Sequence, residues 1–252
     1  MTGVVPDPLP DWLADARRIT VLTGAGISTD SGIPDYRGPN GVWTRDPDAE
    51  KLVTLGYYLA DPDIRRRSWL MRKALQDADP QPNAGHAALV DLERQGRLRA
   101  LITQNIDGLH EAAGSTADRV LEIHGTVHEV VCVGCGDRTP MSAALDRVEA
   151  GEPDPPCLVC GDVLKSATVY FGQLLDERVV EACTAAAADC DVFLAVGTSL
   201  QVWPAAGLAD IAVGAGARLV VVNAEATPYD DVADLVVRER IGTALPRLLA
   251  PG

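Results

Sequence analysis

Short, mostly apolar runs alternate with amphipathic segments along most of this chain. Runs of this length, flanked by glycine and polar turn residues, indicate strands that are buried on both faces of a parallel sheet. We predict such strands at residues 19–22, 101–103, 120–123, 192–196, 219–222 and 235–237.

Apolar positions at helical spacing lie between these strands. Asn83 is a typical N-cap for one helix, which Gly96 ends, and further helices are predicted at residues 177–188, 205–213 and 241–249. Strands that alternate with helices predict an α/β fold with a Rossmann-like, doubly wound parallel sheet.

Two segments interrupt the alternation. Residues 38–81 combine a loop with predicted helices at 52–60 and 63–78, and residues 126–166 contain two cysteine pairs and several prolines. We predict that both are inserted into the sheet domain and form a smaller helical and zinc-binding lobe. The Rossmann-like domain then comprises residues 1–37, 82–125 and 167–252.

Composition narrows the classes of partner. The chain of 252 residues has 22 basic and 36 acidic side chains, a net charge of −14 that disfavours direct binding to nucleic acid. No apolar run reaches about 18 residues, and the N-terminus lacks a basic, apolar leader, so we predict no membrane insertion and a cytoplasmic protein. The sequence contains no signal for an oligomeric state.

A glycine pair follows the first predicted strand in the sequence VLTGAGIST. Gly24 and Gly26 would let the backbone approach a pyrophosphate, as in dinucleotide-binding turns. Thr29 occupies the place of a third glycine, and no second strand with an acidic end follows at the dehydrogenase spacing. The turn therefore suits a dinucleotide but not a dehydrogenase, and by itself it is equally consistent with a tight strand-to-helix turn. The loop after it, GIPDYRGPNGVW, suits a lid over an anion, with Arg37 as its cation, and the alternative is an ordinary surface loop.

Polar residues follow three predicted strands at the point where each strand ends. Ligands of doubly wound sheets bind at these carboxyl ends, so a small polar ligand with ribose hydroxyls is predicted there. Any one of these residues alone is more commonly a helix cap. The candidates are Gln104, Asn105 and Asp107, then Gly197, Thr198 and Ser199, and finally Asn223, Ala224 and Glu225.

His124 lies just beyond another predicted strand end. A neutral imidazole at this edge could act as a general base near pH 7, although a single histidine is more often a hydrogen-bonded structural residue. We interpret His86, His110 and His128 in that structural way.

Cysteines form the most specific local pattern. Cys132 and Cys135 make one CxxC pair, and Cys157 and Cys160 make the second. Two such turns complete a tetrahedral Zn²⁺ shell with no open position, so a structural zinc ion is predicted and a zinc-dependent hydrolase is disfavoured.

Taken together, these motifs resemble the sirtuins, the NAD-dependent protein-lysine deacylases. The resemblance runs from about residue 19 to residue 242 and keeps the family's order of motifs. It rests on GAGIS, GIPDYRG, TQNIDGLH, the His-Gly pair at 124–125, both CxxC pairs, GTSLQVWPAA at 197–206 and VVNAE.

The resemblance implies that NAD is consumed as a co-substrate and that acyl-lysine of a protein enters a cleft between the two lobes. The acyl oxygen would attack the ribose carbon as nicotinamide leaves, giving an alkylimidate, and His124 would act as general base on a ribose hydroxyl. Products would be free lysine, nicotinamide and acyl-ADP-ribose.

The resemblance also implies the NAD contacts. Asn105, which shares the catalytic role with His124, would contact the carboxamide together with Ile106 and Asp107. The phosphates, the nearby ribose and the lid would involve Gly24, Ala25, Gly26, Ser28, Asp35, Tyr36, Arg37 and Gln104. The adenosine side would involve Gly197, Thr198, Ser199, Asn223, Ala224, Glu225 and Ile241.

Two positions depart from the family pattern. Tyr36 replaces the commoner phenylalanine of the lid motif. The family's desuccinylase branch has Tyr-x-x-Arg in the helical insertion, whereas the local counterpart here is Trp69-x-x-Arg72. Residues three apart share a helix face, so Arg72 could meet an acidic acyl group. The alternative is an amphipathic helix with a core tryptophan and a solvated arginine, and deacetylation is therefore the main prediction.

Two other functions are consistent with the same pocket. One is mono-ADP-ribosyl transfer, which would leave label from NAD on protein. The other is a non-catalytic module that binds NAD or ADP-ribose, which would release no nicotinamide.

Overall fold

A computed structural model describes residues 3–39 and 41–250 of the chain. The predicted domain limits at residues 1 and 252, and Asn40 of the lid motif, lie outside this described part. Six parallel strands form the main sheet in the order β3-β2-β1-β7-β8-β9, and three antiparallel strands form a second sheet in the order β5-β4-β6. The strands are β1 (Ile19–Thr23), β2 (Leu98–Thr103), β3 (Val120–Glu122), β4 (Gly125–Cys132), β5 (Arg138–Pro140), β6 (Leu164–Thr168), β7 (Val192–Val196), β8 (Arg218–Val222) and β9 (Leu235–Val237).

Helices flank both sheets. In chain order they are α1 (Asp11–Ala14), α2 (Val42–Arg45), α3 (Leu55–Ala60), α4 (Pro62–Ala78), α5 (Ala84–Arg94), α6 (Leu109–Ala113), α7 (Met141–Glu149), α8 (Glu177–Ala188), α9 (Gly207–Gly214) and α10 (Ile241–Leu248). This arrangement confirms the predicted α/β class with a Rossmann-like sheet and a smaller lobe.

Strand β1 lies at the centre of the main sheet. It pairs with β2 on one side and with β7 on the other, and all five of its residues are buried. The order of the strands reverses between β1 and β7, so the crevice above these two strands is the topological switch point where ligands of such sheets bind.

Alternate strand residues pack into two apolar layers, one on each face of the main sheet. Val21 and Leu194 belong to the layer beneath α5 and α10, while Leu22 and Phe193 belong to the layer beneath α8 and α9. All four side chains are at most 1% exposed. Continuous apolar strands are therefore required here, as the sequence pattern indicates.

The smaller lobe has two apolar clusters of its own. Trp69 of α4 packs with Val130 of β4 and Leu145 of α7, and Tyr58 of α3 packs against Tyr170 beyond β6. Tyr58 also donates a hydrogen bond of 2.7 Å to the Leu164 carbonyl. These contacts fix the helical segment onto the three-stranded sheet.

Several element limits differ from the predicted ones. A 3₁₀ helix, Pro47–Val53, precedes α3, so the helix predicted at 52–60 begins only at Leu55. The strands β4, β5 and β6 were not predicted, because their polar and cysteine residues interrupt any apolar run. The predicted limits of the domains at 38–81 and 126–166 stay predictions.

Within the described residues, no helix combines the length and the apolar character that crossing a bilayer requires.

Candidate active site

The glycine turn after β1 packs directly on the turn after β7. Gly24 N–H donates to the Val196 carbonyl at 3.0 Å, and Gly26 N–H donates to the Gly197 carbonyl at 2.9 Å. A Cβ atom on Gly24 or Gly26 would lie 2.7 Å from backbone atoms of Gly197, which itself has a φ of +60°. Glycine is therefore needed here for backbone packing as well as for any approach to a ligand.

The turn after β2 supplies amide groups to the same crevice. Gln104 Nε2 donates to Thr198 Oγ1 at 2.8 Å, which links the ends of β2 and β7. Asn105 Nδ2 donates to the Gly24 carbonyl at 3.2 Å and to Ser28 Oγ at 3.1 Å. Both amides are thus held by internal bonds from their nitrogen atoms.

Ser28 and Asp107 lie on the side of the Asn105 amide that faces away from the crevice. The Ser28 hydroxyl donates to Asp107 Oδ2 at 2.8 Å, and Asp107 Oδ1 accepts the Leu109 N–H at the start of α6. Neither residue lines the cavity described below. Their geometry suits support of Asn105 and the glycine turn, and their predicted contact with NAD stays a prediction.

His124 is held with one ring nitrogen turned inward. Its Nδ1 lies 3.0 Å from the Gln104 carbonyl, which can only accept, so Nδ1 bears the proton and Nε2 has a free lone pair. Burial lowers the pKa of His124 below its usual value. The adjacent Gly125 has a φ of +70°, and a Cβ there would lie 2.2 Å from the Ala167 carbonyl. The His-Gly pair therefore places a neutral base where the two sheets meet.

One cavity of about 550 Å³ joins these residues. It brings together nearly all of the site residues predicted from the sequence, which belong to the lid or follow the strands β1, β2, β3, β7, β8 and β9. Those that line it are Gly24, Ala25, Gly26, Asp35, Tyr36, Arg37, Gln104, Asn105, Ile106, His124, Gly197, Thr198, Ser199, Asn223, Ala224, Glu225 and Ile241.

The far end of the cavity is shaped by the turn after β8. Asn223 Nδ2 donates to the Glu225 carbonyl, and Arg238 beyond β9 donates to the carbonyls of both residues. A 3₁₀ helix, Ala25–Ser31, forms the end of the glycine turn. Arg240 forms an ion pair of 2.7 Å with Asp30, which joins the segment before α10 to this helix. Arg238 and Arg240 were not predicted, because they follow a strand that ends without a ligand-like motif.

The lid lies against the loop after β6 through a row of aromatic rings. Tyr36 and Trp43 have centroids 4.8 Å apart, and Trp43 and Phe171 have centroids 5.5 Å apart. The Arg37 guanidinium lies 4.6 Å from the Trp43 ring centre, a cation–π contact. The loop after β6 and Trp203 also line the cavity and were missed by the sequence analysis. Trp203 belongs to the GTSLQVWPAA motif after β7, which was a signal for it. The loop after β6 follows a strand that the apolar pattern does not predict, so it gave no such signal.

Trp69 and Arg72 of helix α4 are both buried, but only Arg72 lines the cavity. Trp69 is a core residue, as one of the two alternatives predicted, but Arg72 is only 4% exposed and lines the cavity. The interpretation of Arg72 as a solvated arginine is therefore wrong. No hydrogen bond or ion pair of its guanidinium occurs within residues 3–39 and 41–250, and its buried NH2 nitrogen has no partner.

The four cysteines of the CxxC pairs meet at the tip of the smaller lobe. Their Sγ atoms all lie within 4.8 Å of one another, with Cys132–Cys160 at 3.4 Å and Cys135–Cys157 at 3.7 Å. Zn–S bonds of about 2.3 Å in a tetrahedron require sulfur separations of about 3.8 Å, so the thiolates fit a zinc ion. Four sulfur ligands would fill the shell and give zinc a structural role.

The comparison with known families agrees with this geometry. The model of a family described as "Sir2 family" matches residues 24–204, which include the glycine turn, His124 and all four cysteines.

The chain belongs to the Sir2 family.

Curated relatives of this Sir2 chain match along nearly its full length. It is 63% identical to "NAD-dependent protein deacetylase 2" of Streptomyces coelicolor, an alignment that covers 92% of this chain and 96% of the relative. It is 44% identical to "NAD-dependent protein deacetylase 1" of Bradyrhizobium diazoefficiens, covering 94% of this chain and 92% of that protein.

Solved structures of the Sir2 family have the same fold. A Sir2 protein solved with a p53 peptide and NAD⁺ superimposes with a TM-score of 0.84, at 34% identity over 95% of each chain. A variant solved with deacetylated p53 peptide and 3′-O-acetyl ADP ribose gives a TM-score of 0.86 at 34% identity, over 96% of each chain.

Zinc content tests the cysteine cluster of this Sir2 chain. We expect about one zinc ion per purified chain, and Cys160→Ser should lose most of it and lower the melting temperature, because the metal holds the two CxxC turns together and its binding energy adds to the stability of the fold. Cys183→Ala, which changes a buried thiol outside the cluster, should retain its zinc. Elemental analysis with thermal unfolding measures both, and full zinc content in Cys160→Ser would contradict the assignment.

Proposed function

We propose that this protein is an NAD-dependent protein-lysine deacetylase that transfers the acyl group of a modified lysine to ADP-ribose and releases nicotinamide. The proposal rests mainly on one observation about the cavity. A neutral imidazole with a free Nε2 lines a crevice that also contains the glycine turn, the Asn105 amide and the strand-end hydroxyls. The names of the curated relatives and the ligands of the related Sir2 structures support the same activity.

We assign the two ends of the cavity to the two halves of NAD. The Asn223–Glu225 turn and Ile241 would hold the adenosine end, and Gly24–Gly26 with Arg37 would hold the pyrophosphate near the start of a 3₁₀ helix. Asn105 and Ile106 would contact the nicotinamide ring and its carboxamide. Since Asn105 Nδ2 is already bonded within the protein, its Oδ1 is the atom free to accept from the carboxamide nitrogen.

His124 would supply the proton chemistry. When bound, NAD would supply a ribose carbon that forms a bond to the acyl oxygen of the modified lysine as its bond to nicotinamide breaks. Nε2 of His124 would then take a proton from a ribose hydroxyl while Nδ1–H stays bonded to the Gln104 carbonyl. The carbonyl thus fixes the tautomer that a general base requires, and the buried position keeps the ring neutral near pH 7.

Two readouts distinguish the proposal from its alternatives. Incubation with labelled NAD and an acetyl-lysine peptide should release nicotinamide and place the label on a small molecule. Label on protein would favour mono-ADP-ribosyl transfer, and NAD binding without nicotinamide release would favour a non-catalytic binding module.

Substitution of His124 tests the general base. His124→Ala should lower kcat/KM by about 10²- to 10⁴-fold, because a positioned base contributes roughly that factor. For His128→Ala, which changes an exposed histidine outside the cavity, kcat/KM should stay close to that of the parent.

The pH dependence of the parent tests the same base. Its kcat/KM should fall only below about pH 6.5, the ordinary histidine pKa, since burial lowers the pKa of His124 and the base works when neutral. Full turnover in His124→Ala, or an acidic limb above pH 7, would contradict the role.

We also propose that acyl groups with a terminal carboxylate are substrates, a preference that rests on Arg72. Its guanidinium is buried at the wall of the same cavity, and none of the acidic side chains that the structure describes forms an ion pair with it. Lys165 is a second buried cation in this region, and its Nζ donates to the Ser166 and Thr168 carbonyls. Burial and the nearby Arg72 charge lower the pKa of Lys165 to about 8.

Two buried cations without a carboxylate partner are unfavourable, and an anion from the substrate would compensate them. The charge pattern therefore favours an acyl chain that carries its own carboxylate to Arg72, in a bidentate contact that a guanidinium readily makes.

A comparison of acyl peptides tests this preference. Arg72→Met should lower kcat/KM for a succinyl-lysine peptide by about a hundredfold, because it removes a buried charge-assisted contact, and should change acetyl-lysine turnover by less than about fivefold. Arg66→Met alters an exposed arginine of the same helix, paired with Asp63, and serves as the control. Equal losses for both peptides in Arg72→Met would show that the residue is structural and would exclude the acidic preference.

A further inference from the structure

Two buried histidines lie on the neighbouring helices α5 and α6, and neither lines the cavity. His86 is in the first turn of α5 and His110 is in α6, and their side chains are 0% and 2% exposed. Their ring centroids are 5.0 Å apart. One nitrogen of each ring, Nε2 of His86 and Nδ1 of His110, is buried and has no hydrogen-bond partner in the described part of the protein.

The protonation of His86 follows from its contact with the N-cap of α5. Its Nδ1 lies 3.3 Å from the Asn83 backbone N–H, which can only donate. Nδ1 is therefore the acceptor, and in the neutral ring the proton is on Nε2. The unpartnered atom of His86 is thus a donor. Burial lowers the pKa of the ring despite the nearby Asp107 charge.

The protonation of His110 follows from a row of hydroxyls. Thr23 Oγ1 donates to Thr103 Oγ1 at 2.8 Å and lies 2.9 Å from His110 Nε2. A hydroxyl has a single proton, so Thr23 accepts from His110 Nε2–H, and Nδ1 has the lone pair. The unpartnered atom of His110 is thus an acceptor. Burial, reinforced by His86, lowers the pKa of His110 to about 3.

The two orphaned atoms are complementary, a donor on one ring and an acceptor on the other. We infer that one buried water molecule joins His86 Nε2–H to His110 Nδ1, and that the completed chain of hydrogen bonds positions the turn that contains Asn105. Buried polar atoms are almost always satisfied, and a water between neighbouring polar groups is the usual way to do so where no protein atom is within reach.

This chain of hydrogen bonds would connect the two segments to which we assign contacts with NAD, the glycine turn and the turn after β2. At one end, Asn83 Nδ2 donates to the Ile27 carbonyl and to Ser31 Oγ, both in the 3₁₀ helix of the glycine turn. At the other end, Thr103 Oγ1 accepts the Asn105 backbone N–H at 3.1 Å. His86 and His110 are therefore positioning residues that couple the glycine turn to the residue assigned to nicotinamide, an inference that rests on the proposed function for Asn105.

Nuclear magnetic resonance of the intact, NAD-free protein tests the bridge itself. Long-range ¹H–¹⁵N spectra between pH 6 and 8 should show both rings neutral with the proton on Nε2, and the His86 Nε2–H should give a cross-peak to a long-lived water. His110 with its proton on Nδ1, or either ring titrating in this range, would overturn the inference. This readout does not depend on the reaction, so it stands apart from any failure of the proposed function.

Paired substitutions test the positioning role. His110→Leu should raise KM for NAD and weaken inhibition by nicotinamide, each by about tenfold, because Thr23 loses its donor, while KM for the peptide changes less than about twofold. His110→Gln keeps a donor for Thr23 and an acceptor for the water and should restore both values to within about threefold.

A folded His110→Leu protein with unchanged KM for NAD and unchanged nicotinamide inhibition would overturn the role. Equal losses toward NAD and peptide in both variants would also overturn it, since they indicate a general structural defect. Should neither variant fold, the spectra of the parent protein decide the matter.

Discussion

The close approach of two backbone turns at the centre of the main sheet determines the rest of the site. The turn after β1 and the turn after β7 are joined by hydrogen bonds from Gly24 and Gly26, at a separation that excludes a Cβ atom on either residue. This contact leaves the crevice above β1 and β7 open and lined by backbone, at the switch point of the sheet. Most other candidate groups reach the crevice from the carboxyl ends of the strands on either side of this contact, and the lid and α4 supply the rest.

Positions in the crevice are fixed by hydrogen bonds that its polar groups make to one another. Gln104 links the ends of β2 and β7, its carbonyl fixes the His124 tautomer, and Ser28 with Asp107 supports Asn105 from behind. Preorganised dipoles of this kind do not need to rearrange during a reaction, which is the basis of electrostatic catalysis. The smaller lobe supplies the opposite wall, where Arg72 contributes a buried positive charge.

Much of this architecture is predictable from the sequence, because buried parallel strands need continuous apolar runs and their polar ends mark the ligand edge. The strands β1 and β7 and the helix α8 lie where the apolar pattern indicates. The antiparallel strands β4 to β6 are not predictable in this way, since polar, cysteine and partly exposed residues interrupt their apolar positions. Burial of Arg72 depends on how α4 packs against α7 and β4, and the inward position of Asp107 depends on its bond to Ser28. Neither contact leaves a signal in local sequence spacing.

Binding of ADP-ribose to a Gly26→Ala variant tests the central contact most directly. An added methyl group would lie 2.7 Å from Gly197 Cα, so the two turns must separate, whereas Gly56→Ala places its methyl group in open space and serves as the control. Calorimetric titration of folded protein should give a Kd at least about tenfold weaker for Gly26→Ala and unchanged for Gly56→Ala, because displacement by a fraction of an ångström disrupts such a site. Unchanged affinity in Gly26→Ala would contradict the account.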